Sequence, residues 1–431
     1  MTSVLVTSTP VHGHVQPLLP VVRALVDAGH SVRFLTGQRY RGAVESAGAT
    51  FLPLPEGADF DDRKIDETFP GRVGLTGPAA IRYDMIEIFL KPVPLQLASV
   101  DEALAAEHTD VILSESMFAA MVVLLARPKA DRPPVVNLGM VPLGMKSVDT
   151  APFGLGIPPL PGALGRMRNA MLSVVSEKIV FAPVQKVAEE LVQRLAGTRA
   201  PGFFLNWPAS ADAVIQFTVP EFEYPRSDLP ESVHFVGPVS RSAPSAGPLP
   251  EWWKELDGSK PVVHVTQGTV ANQDWEELVL PTIRGLANDN VLVVVSTGGR
   301  DVATLGELPA NVRAAEYLPY DELLPRTDVM VTNGGYGGVH FALTHGVPLV
   351  VAGMTEDKAE VTARVAWSGA GVNLRTNRPT AEKVSEGVRR VLADPSYRDR
   401  STHLGVAISR SPGAEGALPI IEQLVAARAA R

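Results

Sequence analysis

The sequence predicts an α/β protein built as two Rossmann-like domains facing a central cleft. Three observations carry that expectation. A chain of 431 residues exceeds what one core organises and suits two domains of roughly 200 residues each. Short apolar strands alternate with amphipathic helices in two separate stretches, the pattern of parallel sheets covered by helices. Between the stretches, residues 237–250 read GPVSRSAPSAGPLP, a stiff, poorly packing composition that suits a linker. The expected division is a first domain over 1–238, a linker over 239–254 and a second domain over 255–410. A final Ala-rich helical stretch, 411–431, is placed to pack back on the first domain.

The chain opens on a buried-type strand, Val4, Leu5, Val6 and Thr7, followed by a turn over 8–16. Pro17 then starts a helix that sets Leu18, Val21, Val22 and Leu25 on one face, and Gly29 ends it. Further strands are expected at 31–35, 49–54, 111–114, 135–139, 213–217 and 234–236. Residues 59–105 read as a loop and a long helical tract, and 146–160, rich in Pro and Gly, as a mobile wall. A helical stretch runs from Pro161-Gly162 to about Leu195. In the second domain the strands fall at 262–266, 291–296, 312–316, 329–332 and 348–352.

Composition narrows the function classes. Net charge is −8 with Lys and Arg scattered, so nothing resembles the footprint of a nucleic-acid binder. The absence of cysteine rules out disulfides, thiolate chemistry and Cys-ligated metals. The start, Met1-Thr2-Ser3, lacks the basic region of a signal peptide, and no apolar run reaches the ~18 residues of a spanning helix. No basic amphipathic patch marks a membrane-surface enzyme. The expectation is a soluble cytoplasmic protein, monomer or homodimer, with neither nucleic acid nor membrane as partner.

Ligands of such sheets bind beyond the carboxyl ends of the strands. The loop after the first strand reads Thr9-Pro10-Val11-His12-Gly13-His14-Val15-Gln16-Pro17, whose single glycine is no dinucleotide fingerprint. It offers two imidazoles beside a helix N-terminus, where the dipole lowers a His pKa and keeps the ring neutral. A neutral imidazole in a cleft suits a general base, but either His can instead be a turn residue capping backbone groups, the reading that His12 keeps. Glu115, at the end of the 111–114 strand, is either the carboxylate partner such a base needs or a solvated strand-end residue.

In the second half, Asn333-Gly334-Gly335-Tyr336-Gly337-Gly338 lies between a strand and a helix. Glycines there let backbone approach a ligand and aim helix N–H groups at an anion, with a diphosphate as the natural occupant. No P-loop pattern is present. Gln267-Gly268-Thr269 and Thr297-Gly298-Gly299-Arg300 follow neighbouring strands and line the same sheet edge.

These residues resemble the two-domain B-type (GT-B fold) glycosyltransferases, specifically the antibiotic and macrolide branch of the UDP-glycosyltransferase superfamily. The resemblance spans the chain and is strongest at Gly13-His14-Val15-Gln16-Pro17 and over 311–364. It implies that His14 is the catalytic base, with Glu115 in place of the usual Asp partner. It also implies that the first domain binds the acceptor and the second the nucleotide-sugar donor. Tyr317-Leu318-Pro319-Tyr320 matches a W-x-P-Q segment whose aromatic residue stacks on the donor base. Asn333 stands for a phosphate-contacting His, and Gly334, Gly335, Tyr336, Gly337 and Gly338 form the phosphate loop. Glu356-Asp357-Lys358 falls where an acidic residue and Gln bind the transferred sugar. Departures occur at Tyr317, Tyr320, Asn333, Lys358 and Phe341, which replaces a ribose-binding Glu.

The implied reaction is an inverting, metal-independent transfer from a UDP- or dTDP-sugar to a hydroxyl or amine of a small apolar acceptor. No cofactor is needed, the nucleotide-diphosphate sugar being a co-substrate. Asp59-Phe60-Asp61 reads as a solvated acidic loop rather than a metal site. Phe60, Met85, Phe89, Met117, Met140 and Phe153 are either acceptor-wall or core residues. The competing readings are a sugar-nucleotide epimerase and a binding protein that has lost catalysis.

Overall fold

Two parallel sheets organise the chain in the computed structural model, which describes residues 1–239, 249–269 and 272–430. The linker stretch 240–248 lies outside the described residues. The first sheet contains β1 (Ser3–Thr7), β2 (Ser31–Thr36), β3 (Thr50–Pro53), β4 (Val111–Glu115), β5 (Val135–Gly139), β6 (Ala213–Gln216) and β7 (Val233–Phe235). The second contains β8 (Val262–Thr266), β9 (Leu292–Ser296), β10 (Val312–Ala315), β11 (Val329–Thr332), β12 (Leu349–Val351) and β13 (Gly371–Asn373). Their orders are β3-β2-β1-β4-β5-β6-β7 and β10-β9-β8-β11-β12-β13. Central strands such as Leu292–Ser296 are buried along their whole length, because helices cover both faces.

Each order reverses direction once, between β1 and β4 and between β8 and β11. Loops leaving those strand pairs diverge to opposite faces and open a crevice at each switch point. Register fixes what faces it. Thr7 pairs with Ser114, so the first loop and Glu115 leave the sheet side by side. Thr332 pairs with Thr266, which brings Asn333 beside Gln267.

Several elements differ from the expectation. Helix begins at His12, not Pro17: a turn over His12–Val15 runs through a 3-10 segment, Gln16–Leu18, into the helix Leu19–Asp27. Pro17 has no N–H to give an α-helical bond, so the backbone tightens there without ending. The strand β13 was not expected, its three residues being too short to show alternation. The wall over 146–160 is fastened rather than loose: Lys146 N donates to Asn206 (2.8 Å), Val148 N to Asp228 (2.8 Å), and Gly154 and Gly156 N to Glu360 (2.9 Å each).

Trp253, near the end of the expected linker, is buried against Leu256, Val262 and Leu323 of the second half. The closing helix, Ala417–Ala429, packs on the first half, placing Ala417 and Ile421 in one cluster with Leu18, Val22 and Val236. Glu422 lies 3.3 Å from His30, and Arg428 donates to the Lys129 carbonyl (3.2 Å).

The two halves meet through a buried charge cluster. Arg364 is 1 % exposed and donates through Nε and Nη2 to both oxygens of Glu223 (2.6 and 3.1 Å) and through Nη1 to Glu360 (2.7 Å). Its guanidinium stacks 4.1 Å from the Tyr224 ring centre. Burial opposes the charge, but Glu223 and Glu360 outweigh it and hold the Arg364 pKa above its ordinary value. Beside it, Thr218 bonds His340 (2.8 Å), and Phe222 packs edge-on against the same imidazole. Arg364→Ala leaves two carboxylates buried without a cation, so a loss of about 3–5 kcal/mol in urea-unfolding stability is expected.

Candidate active site

His14 sits in the first helical turn after β1, and Glu115 is the last residue of β4. His14 Nδ1 lies 2.9 Å from Glu115 Oε2. Glu115 is 2 % exposed and also accepts from Thr9 N (3.1 Å) and Met117 N (2.5 Å). Burial pushes the Glu115 pKa up, but His14 and the two amides prevail and leave it below the ordinary value. An ionised carboxylate only accepts, so Nδ1 carries the proton and Nε2 of the neutral ring is left as a base.

The pKa of His14 departs from the dipole expectation. Burial disfavours the imidazolium, yet the charge and hydrogen bond of Glu115, with smaller help from Asp357 and Glu356, raise the pKa above 6.5. A direct charge contact outweighs the partial charges of one helical turn. His12 moves the other way: burial lowers its pKa against the pull of Asp62, which accepts from the His12 amide (2.8 Å). Asp62 also receives Tyr40 (2.9 Å) and Arg39, so the first loop is braced from beneath.

The acidic loop keeps its carboxylates at the surface and ties them to neighbouring groups. Asp59 accepts from Gln38 N (2.9 Å), and Asp61 pairs with Arg63 (2.6 Å). Among the described residues no group of three or more His, Asp or Glu is arranged to hold a metal ion.

Across the cleft, five strand-end loops of the second half converge. Asn333 Nδ2 donates to the Gln267 carbonyl (2.7 Å), joining the loops after β11 and β8. Asn272 Nδ2 bridges the carbonyls of Gly268 (3.1 Å) and Thr297 (3.0 Å), joining those after β8 and β9. Contact is close enough that a Cβ on Gly298 would lie 2.1 Å from the Gly268 oxygen. Tyr317, after β10, is exposed and rests its hydroxyl on Gly299. After β12, a Cβ on Gly353 would lie 2.1 Å from the Asn333 oxygen.

The helix Tyr336–Thr344 starts on Gly335 with no side chain capping its first amides, and Gly338 has open space where a side chain would be. Gly334 is tight, a Cβ there lying 2.5 Å from Thr362. Glu356 pairs with Lys358, and Asp357 begins the helix Lys358–Trp367. Burial drives the Asp357 carboxyl up to about 6, with Lys358 opposing and Glu356 assisting.

Some expected contacts are spent elsewhere. Tyr336 turns its ring away, packs edge-to-face with His340 (4.3 Å between centres) and reaches Gln216 through its hydroxyl (3.4 Å), so only its backbone can face the loop. Thr297 is fully buried and donates to the Arg300 carbonyl. Leu318 packs beside Trp253, and Thr269 is exposed. Of the expected wall residues, Met140 belongs to the first core, Met85 packs on the second, and Phe60 stacks edge-on with Phe69 (5.3 Å). Phe89 lies in a π-helical segment, Asp84–Leu90, its ring centre 6.5 Å from that of His14. Met117 flanks Glu115, and Phe153 covers Gly144. Asp62, Asn272, Glu223, Glu360 and Arg364 had no sequence signal.

This geometry has close relatives. The erythromycin biosynthesis protein CIII-like C-terminal domain matches residues 282–424. The chain is 42 % identical to 4'-demethylrebeccamycin synthase of Lentzea aerocolonigenes, over 98 % of this chain and 99 % of the relative. It is 36 % identical to UDP-glycosyltransferase 2 of Phaeomoniella chlamydospora, over 98 % and 96 % of the two chains. The chain belongs to the UDP-glycosyltransferase family. This glycosyltransferase superposes on CalG4, the calicheamicin glycosyltransferase, with a TM-score of 0.75 at 23 % identity, over 99 % and 98 % of the chains. The fold is therefore GT-B, and the epimerase reading is set aside.

The ion pair makes a direct prediction about the glycosyltransferase. In a histidine NMR titration His14 should titrate above 6.5, and Glu115→Gln should lower it, burial then being opposed only by the weaker pull of Asp357 and Glu356.

Proposed function

We propose that the enzyme transfers a sugar, with inversion, from a UDP- or dTDP-sugar to a hydroxyl or amine of a small apolar natural product. The observation that carries this reading is the His14–Glu115 pair, in which the carboxylate engages Nδ1 and leaves Nε2 to act as the base, with the charges of Asp357 and Glu356 acting on the same ring. The acceptor O–H or N–H gives its proton to His14 Nε2 as its lone pair forms a bond to the anomeric carbon. The bond from that carbon to the diphosphate breaks, and its electron pair leaves on the phosphate oxygen. Attack opposite the leaving group inverts the centre.

Glu115 stabilises the imidazolium formed and keeps its tautomer. The uncapped amides of the helix Tyr336–Thr344, with Gly335, Gly337 and Gly338, would receive the diphosphate charge. No metal is required in this scheme. Asn333 is committed through Nδ2 to Gln267, which supports a role in shaping the loop while its oxygen faces Gly335 N (3.4 Å). Tyr317 offers an exposed ring for the donor base, and Asp357 with Lys358 offers partners for sugar hydroxyls. Phe89, beside His14, supplies an apolar wall on the acceptor side.

Calorimetry with UDP-, dTDP- and GDP-sugars should find tight binding of one donor by the wild type and its loss in Gly337→Asp, which sets a carboxylate against the phosphates. Binding by none of them would overturn the donor site. His14→Ala should keep donor binding and lower kcat by about 10²–10⁴-fold. In the wild type kcat/KM for the acceptor should rise with pH through the elevated His14 pKa, since the base works only when neutral. A flat profile would remove His14 from the chemistry.

A further inference from the structure

We infer that Glu360 is a positioning residue that clamps the acceptor-side loop 153–157 to the donor-side helix, so that acceptor binding depends on a carboxylate remote from both substrates. The inference rests on the cleft assignment proposed above. Glu360 lies in the first turn of the helix Lys358–Trp367, three residues beyond Asp357. Its Oε1 accepts from the amides of Gly154 and Gly156 (2.9 Å each), two N–H groups of the other half converging on one oxygen. Its Oε2 accepts from Arg364 Nη1 (2.7 Å), whose far edge is held by Glu223 (2.6 Å). Both carboxylate oxygens are thus occupied, one by the loop and one by the buried cation.

The loop is shaped for this contact. Gly154 (φ +95°) and Gly156 (φ +59°) take left-handed backbone that turns both amides toward the same point. A Cβ on Gly156 would lie 2.6 Å from the Ala359 carbonyl, so the loop rests flat on the first turn of the helix. Next to Gly154, Phe153 lies over Gly144 on the acceptor side, where a Cβ would meet its ring at 3.2 Å. A continuous path therefore runs from Asp357 along one helical turn to Glu360, across two hydrogen bonds, and into the loop bearing Phe153. Charge-assisted bonds from backbone amides are stronger than neutral ones and directional, which suits a hinge point that must return to one geometry. A contact serving only to join the halves would need no such convergence on a loop without regular structure.

The test uses two variants that break the clamp from opposite sides. Glu360→Ala removes the acceptor oxygen, and Gly156→Ala lifts the loop while leaving the Glu223–Arg364–Glu360 cluster whole. Hydrogen exchange over 151–158 should accelerate at least about tenfold in each, the factor for one hydrogen bond of ordinary strength, and more in Glu360→Ala, which removes two. With UDP-glucose as donor and 2-naphthol as probe acceptor, the KM for 2-naphthol should rise about fivefold, and UDP binding by calorimetry should stay within about twofold. Unchanged exchange in both variants overturns the clamp. So does an equal rise in the KM of UDP-glucose, which would mark general loosening. Failure of the transferase reading would show separately, as a wild type that binds none of the UDP-, dTDP- and GDP-sugars. The exchange contrast would then still decide the clamp.

Discussion

Arg364 is the point on which the two halves depend. A guanidinium out of water is costly, and the cost is met only because Glu223 and Glu360 approach it from opposite sides with their oxygens in hydrogen-bonding geometry. Glu223 belongs to the segment after β6, and Glu360 and Arg364 share one helix. That requirement specifies a relative placement of the halves, since no small shift keeps both carboxylates satisfied. The neighbouring contacts, Thr218 with His340 and Tyr336 with Gln216, repeat the theme with neutral groups. The directional polar contacts sit beside packed aromatic and aliphatic side chains, including Phe222 among Val339 and Leu343.

With the halves so placed, two switch points face each other, and chemistry follows from what each sheet leaves at its own. The first leaves an imidazole oriented by a buried carboxylate. The second leaves a bare helix N-terminus and loops tied to one another by Asn272 and Asn333. One side can take a proton and the other can take negative charge, the two demands of displacing a diphosphate. In the proposed reaction the two capabilities come from different halves, so the cleft rather than either domain would be the functional unit.

Much of this was legible in the sequence. Strands buried on both faces read as unbroken apolar runs, as in Leu292–Ser296, and the glycines after Thr332 mark a turn from strand into helix. His14 and Glu115 could be named because each follows or ends a strand, and their register then brought them together. What stayed hidden depends on distant pairs. Glu223 and Arg364 are 141 residues apart and each looks like a surface charge on its own helix or turn. The outward-looking motif also misled: Tyr336 lies among four glycines, yet its ring completes the interface behind the loop. Thr297 failed for a similar reason, its hydroxyl closing its own turn. The direction of the His14 pKa differs from the expectation because the Glu115 carboxylate, named as its partner, outweighs the dipole on which that expectation rested.

The return of the last helix to the first half has a consequence for how the protein is made. Ala417 and Ile421 complete a core whose other members include Val4, Leu18 and Val22, so residues from both ends of the chain share one cluster. On a ribosome adding roughly 5–20 residues each second, the first half waits through the synthesis of the second with an uncovered apolar face. Nascent chains released before residue 417 lack that cover however well their second half has folded. The first core is thus closed only once residues 417–421 have been made.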